Sequence, residues 1–135
     1  MPDSAPPRHV LYVEDDRINI VLMEEVFRRL PADWTLECVE DGAQALAALA
    51  ERRPDLLLVD MNLPDMNGLE LLARLREQDP ALSTLCCVAL SADSLPEQVE
   101  AARAAGFCDY WLKPIDVLQL ADALRALDAA STDPH

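Results

Sequence analysis

Six polar residues stand where apolar runs stop, and their types could do chemistry together. Glu14, Asp15 and Asp16 follow the run His9–Val13, and Asp60 follows Leu56–Val59. Ser91 follows Leu85–Leu90, and Lys113 follows Phe107–Leu112. Carboxylates brought within a few ångströms of one another repel unless protons or a cation intervene. A hard divalent ion with oxygen ligands answers that need, and Mg²⁺ suits a site with few carboxylates and several retained waters. Lys113 is the only lysine in the chain, the other ten basic residues being arginine. An ammonium is a compact point charge where arginine brings a wide planar fork. A crowded pocket that must neutralise one phosphoryl oxygen favours the ammonium.

The elements that must position these residues alternate along the chain. Ile18, Leu22, Val26 and Leu30 recur at i+4 spacing, which predicts an amphipathic helix over 17–30 that Pro31 ends. Thr35–Val39 reads as a second strand, and an alanine- and leucine-rich helix follows Asp41-Gly42 and stops before Pro54. Leu56–Val59 is apolar throughout, as suits a parallel strand covered on both faces. A breaker-rich loop then leads into a helix from about Leu69 to Gln78, and Leu85–Leu90 is the fourth strand. A helix from Pro96 to Ala105 stops at Gly106, and Phe107–Leu112 is the fifth strand, broken by Lys113-Pro114. The last helix carries Val117, Leu120, Ala121, Leu124 and Leu127. Five β-then-α units predict an α/β fold with a parallel sheet and helices on both faces. Adopting the strand order 2-1-3-4-5 of doubly wound, flavodoxin-like (βα)5 folds puts Asp15 and Asp60 at the switch point, where such folds bind ligands.

Composition removes whole classes of function. The 135 residues suffice for one domain with a sizeable core. A formal charge of −14 argues against direct binding to nucleic acid or to an anionic membrane. The start MPDSAPPRH has no apolar segment of the signal-peptide kind, and no apolar run approaches a membrane span, so a cytoplasmic location is expected. Cys38, Cys86, Cys87 and Cys108 form no CxxC pair and sit among apolar neighbours, so reduced core thiols are expected rather than zinc ligands or disulfides. Residues 1–8 and 129–135 read as flexible ends around a domain at 9–128.

The segments VEDD (13–16), VDMNLPDMNG (59–68), ALSA (89–92) and YWLKPI (110–115) stand in an order and spacing that resemble the receiver domain of two-component response regulators. The likeness covers roughly residues 8–128. It implies that Asp60 accepts a phosphoryl group from a phosphohistidine of a sensor histidine kinase or a histidine phosphotransfer protein. It implies Mg²⁺ held by Asp15 and Asp60, by Glu14 through a bound water, and by the backbone carbonyl of Asn62. Lys113 and the Ser91 hydroxyl would meet phosphoryl oxygens, and Tyr110 would be the switch aromatic that responds to Ser91. Asp16, one place past the acid pair, reads as a helix N-cap. Output would pass to a downstream protein through the face of the fourth helix, fifth strand and fifth helix, where Leu95, Val99, Tyr110 and Trp111 lie; the resemblance also admits a homodimer through that face. Asn62 and Asp93, two residues after Asp60 and Ser91, would border the phosphoryl group and tune its lifetime.

A receiver catalyses only its own phosphorylation and dephosphorylation, so the reading is a switch in bacterial phosphorelay signalling and not an enzyme acting on other substrates. A stand-alone regulator is slightly favoured by the start at Met1, whereas DDRINIVLMEEVF resembles the first helix of receivers attached to hybrid sensor kinases. An aspartyl-phosphate phosphatase of the haloacid dehalogenase type would want an acid where Asn62 stands. A flavin-binding module would want a phosphate cradle where the acids stand. A receiver that binds partners without phosphorylation is the remaining alternative.

Overall fold

The computed structural model describes residues 8–131, and side chains as far as residue 127. Its elements run β1 (Arg8–Val13), α1 (Arg17–Arg28), β2 (Trp34–Val39), α2 (Gly42–Glu51), β3 (Leu56–Asp60) and α3 (Gly68–Gln78). A 3-10 turn (Pro80–Thr84) then leads to β4 (Cys86–Ser91), α4 (Pro96–Ala105), β5 (Asp109–Leu112) and α5 (Val117–Ser131). Of the ends read as flexible, 1–8 and 129–135, Arg8 opens β1 and 129–131 continue α5; the rest, 1–7 and 132–135, lies outside the described residues.

All strand pairs are parallel, in the order β2-β1-β3-β4-β5. The doubly wound arrangement expected from the alternating pattern is therefore the one observed. Strand alternation divides the core in two. Leu11, Val13, Leu57, Val59, Cys87 and Ala89 pack under α2, α3 and α4, while Val10, Tyr12, Leu56, Leu58, Val88 and Leu90 pack under α1 and α5. Both faces being covered explains why β3 is buried along its whole length.

Helix ends follow their local chemistry. Asp16, Asp41 and Asn67 cap α1, α2 and α3, each accepting a backbone N–H with its side chain. The 3-10 turn at Pro80–Thr84 escaped the periodicity argument, because a single turn of that kind has no repeat to detect. β5 begins at Asp109 rather than Phe107: Phe107 is buried and its N–H still bonds back to Ala102, so it completes the end of α4.

Among the described residues Gly106 alone has a left-handed backbone, at φ 114°. Its lost Cβ is replaced by the Arg76 guanidinium, whose Nη1 donates to the Ala105 carbonyl at 2.7 Å at the open end of α4. Gly106→Ala should therefore strain the backbone and displace Arg76 together. Urea unfolding should show a loss of about 1–2 kcal/mol; an unchanged midpoint would contradict this account of how α4 ends.

Candidate functional site at the carboxyl ends of the strands

The parallel register brings the acids level. Val13 pairs with Val59, so the residues that follow them, Glu14 and Asp60, emerge side by side where the strands separate. Ser91 and Leu112 pair likewise, and the Lys113 N–H donates to the Ser91 carbonyl at 2.9 Å, which delivers the lysine stem to the same rim. The Lys113-Pro114 peptide is cis.

Glu14 is fully buried and Asp60 is 5% exposed. The Lys113 ammonium lies 2.8 Å from Glu14 Oε1 and 3.2 Å from Asp60 Oδ2. Tyr12, buried beneath them, donates its hydroxyl to Glu14 Oε1 at 2.7 Å, and the Asp16 N–H donates to Glu14 Oε2 at 3.2 Å. Asp60 Oδ1 accepts the Asn62 N–H at 3.1 Å. Both oxygens of Asp60 thus have fixed partners, and its orientation is set by the chain.

Two carboxylates and one ammonium leave an unbalanced negative charge in a dry place. Burial first, and then the hydrogen bond with Glu14, push the Asp60 carboxyl up to about 6. Burial also opposes ionisation of Glu14, but hydrogen bonds from Asp60, Lys113 and Tyr12 outweigh it and hold Glu14 below the usual carboxylate range. The proton between the two carboxyls is therefore kept by Asp60. Lys113 is raised above its ordinary value because the two acids outweigh its desolvation. Tyr12 is raised strongly by burial and by Glu14, so it stays a donor.

Asp15, exposed at the rim, joins the pair: one oxygen from each of Glu14, Asp15 and Asp60 lies within 4.8 Å of the others. Three hard oxygen donors around an excess negative charge fit a small divalent cation. The site's donor chemistry therefore matches the Mg²⁺ expected of it.

Ser91 is buried, and its hydroxyl accepts the Asp93 N–H at 3.0 Å. Tyr110, half-buried against the α2–α3–α4 side of the core, donates its hydroxyl to the Asp93 carbonyl at 2.6 Å. Both residues bond the Asp93 backbone, Ser91 at its N–H and Tyr110 at its carbonyl. One oxygen of the Asp93 carboxylate accepts the Leu95 N–H at 2.9 Å, a local turn bond that an Asp two residues before an N–H commonly makes. Trp111 packs half-buried on the α1–α5 side and donates Nε1 to Asp109 Oδ2 at 2.9 Å. Leu95, just before α4, is 51% exposed, and Leu112, at the end of β5, 54%.

Two positioning residues escaped sequence reasoning. Tyr12 had a signal, since a strand residue two places before Glu14 shares its face. Asp65 had none: its carboxylate spans a sequence distance of 22 to 23 residues to accept the Gly42 and Ala43 N–H groups at 2.9 and 3.0 Å. Those bonds hold its carboxyl below the usual range and moor the loop after Asp60 to the start of α2. A further correction concerns the cysteines. Cys38 and Cys87 are free, but Cys86 and Cys108 are joined in a disulfide. β4 and β5 must become neighbours before these two thiols can meet, which no local pattern shows.

Residues 10–125 match the family described as the response regulator receiver domain. The chain is 37% identical over 124 residues to the probable transcriptional regulatory protein TcrX of Mycobacterium tuberculosis, covering 92% of this chain and 51% of that protein. It is 34% identical to the sensory/regulatory protein RpfC of Xanthomonas campestris, covering 91% of this chain and 17% of that protein. It thus spans about half the length of TcrX and far less of RpfC. The crystal structure of the Mn(2+)-bound form of response regulator Rcp1 superposes with a TM-score of 0.77 at 27% identity, over 96% of this chain and 97% of that one.

The raised Asp60 carboxyl has a consequence for stability in metal-free solution. A group whose folded value lies above its unfolded one stabilises below about pH 4, and that contribution is lost as pH rises through about 6. Asp60→Asn should thus be the more stable protein at pH 7 in chelator, by on the order of 2 kcal/mol, with the difference vanishing near pH 4. Denaturant midpoints across that range check this; equal midpoints at pH 7 would contradict it.

Proposed function

Because the chain belongs to the response regulator receiver family, whose members take part in two-component signalling with histidine kinases, we propose that Asp60 accepts a phosphoryl group here and that its arrival resets the surface around α4 and β5. The observation that carries the reading is the state of Asp60: buried, held at both oxygens, and set against one ammonium and two further acids.

The ionised Asp60 carboxylate attacks the phosphorus of a donor phosphohistidine. The new O–P bond forms as the P–N bond breaks, and the electron pair leaves with the imidazole of the donor. Lys113, already 3.2 Å from Asp60 Oδ2, is placed to neutralise an incoming phosphoryl oxygen. Asp15, Asp60 and the Asn62 carbonyl would hold Mg²⁺, with Glu14 behind them. That ion, when bound, supplies positive charge against the phosphoryl oxygens and keeps the acids ionised. Phosphoryl transfer asks mainly for alignment and charge stabilisation, and this chain supplies alignment through the Asn62 N–H, the Asp65 mooring and the buried Tyr12.

The response runs through Asp93. Drawing the Ser91 hydroxyl toward a phosphoryl oxygen would strip the Asp93 N–H of its acceptor, and the same peptide segment accepts from Tyr110 on its far side. Releasing one bond shifts the other, so the Tyr110 ring and the start of α4 move with Ser91. The reading carries with it a histidine kinase or histidine phosphotransfer protein as donor, a protein target on the α4–β5–α5 face, and a cytoplasmic setting. Among the described residues no helix is long and apolar enough to cross a membrane. A receiver built into a longer protein is a second reading, supported by RpfC and TcrX, both much longer than this chain.

Intact-mass spectrometry after incubation with acetyl phosphate tests the acceptor. One added phosphoryl group is expected, dependent on Mg²⁺ and absent from Asp60→Asn; an adduct that persists in that variant would sink the assignment. Asn62 lies exposed beside the acceptor, where it can admit and orient water. Asn62→Leu should lengthen the phosphoryl lifetime several-fold, roughly 1 kcal/mol in barrier, while Asp93→Leu should change it less because one oxygen of that carboxylate is already bonded to the Leu95 N–H. Equal decay rates for wild type and Asn62→Leu would remove Asn62 from the account.

A further inference from the structure

The Cys86–Cys108 bridge is not used by the phosphoryl reading and lies at the opposite ends of the strands from Asp60. It joins the first residue of β4 to the residue before β5, across Cα atoms 6.0 Å apart. The covalent ring so closed contains all of β4, the Asp93 turn and the whole of α4. Just outside it comes Tyr110, two residues beyond Cys108.

We propose that Cys86 and Cys108 are a reversible redox pair, exchanging with low-molecular-weight disulfides and thiols, whose closed form staples α4 and the lead-in to β5 against β4.

Four observations support this. Cys108 is exposed and Cys86 half-buried, so the bridge is open to attack from solution, and exposed bridges are the ones that exchange. The remaining thiols do not compete. Cys87 is fully buried, its thiol pushed up to about 12 by desolvation, and Cys38 is pushed up to about 11 by burial and then by Glu24 and Glu37. Neither cysteine of the bridge is among the buried residues of the two core layers. Backbone contact survives opening, because the Cys108 N–H donates to the Cys87 carbonyl at 2.8 Å and keeps the two thiols close enough to reseal. A disulfide of this accessible kind in a cytoplasmic protein is expected to be transient or sensing rather than structural.

The exchange balances in two steps. The Cys108 thiolate attacks one sulfur of a small disulfide, forming a mixed disulfide and releasing one small thiol. The Cys86 thiolate then attacks the Cys108 sulfur, closing the protein bridge and releasing the second small thiol. The two protons lost by the cysteines end on the two released thiols, and excess thiol runs both steps backward.

The test uses the full chain equilibrated in mixtures of oxidised and reduced glutathione, acid-quenched, alkylated and mapped by mass. The expected result is an 86–108 cross-link that rises and falls reversibly with the mixture, while Cys38 and Cys87 stay as thiols. Amide hydrogen exchange over residues 92–112 should then be about tenfold slower in the closed form than in the open one. Cys108→Ser, at an exposed position, and independently Cys86→Ala should exchange at the open rate in every mixture. A glutathione adduct at Cys108 without ring closure, a bridge that full reduction of the native chain leaves intact, a cross-link through Cys38 or Cys87, or equal exchange in the two forms would each overturn the proposal. None of these readings involves Asp60, so the redox pair stands or falls apart from the phosphoryl switch.

Discussion

Two buried carboxyl groups share one ammonium at the carboxyl edge of the sheet, and most of the molecule's design follows from making that arrangement tolerable. Glu14 has no contact with solvent, and Asp60 almost none. Lys113 alone cannot balance both. The chain answers with Tyr12 and the Asp16 N–H on Glu14, the Asn62 N–H on Asp60, and an Asp60 carboxyl that holds its proton up to about pH 6. What remains is a deficit of positive charge at a place with hard oxygen ligands and an exposed third acid, Asp15. A site left in that condition is prepared for a divalent cation and, through it, for an anion.

The fold is what permits the cost. Parallel strands covered on both faces stop at one edge, so residues that follow Val13, Val59 and Leu112 converge without any loop having to reach inward. The hydrophobic layers under α1–α5 and α2–α3–α4 supply the stability against which the buried charges are set. The loops at this edge are held by few, specific bonds. Asp65 moors the loop after Asp60, and Asp93 stands between Ser91 and Tyr110. In the proposed switch, Asp93 is the backbone segment that would carry a change from Ser91 to Tyr110. The Cys86–Cys108 bridge bounds the same segment from the other end.

Most of this framework could be read from the chain. The alternation of apolar runs with helical spacing gave five βα units. The polar residues closing those runs, with the lone lysine among them, marked the edge where they meet. Asp16 and Gly106 served the cap and stop expected of them. What stayed hidden depended on tertiary neighbours. Asp65 caps a helix more than 20 residues upstream, and the pairing of Cys86 with Cys108 needs β4 beside β5. The bond from the Leu95 N–H to the Asp93 carboxylate is local, but nothing in the residue types announces it. The proton held between Glu14 and Asp60 was likewise invisible, since burial, and not residue type, sets it.

The account makes the proton on Asp60 and the divalent cation competitors for the same carboxylates, and proton release on cation binding measures that competition directly. Isothermal titration of Mg²⁺ into the full chain, repeated in buffers of different ionisation enthalpy, counts the protons released. The account predicts about half a proton per ion near pH 6, close to none near pH 8, and none at either pH for Asp60→Asn. Binding without proton release near pH 6, or release that persists in Asp60→Asn, would show that the ion does not engage this acid pair and would contradict the account at its centre.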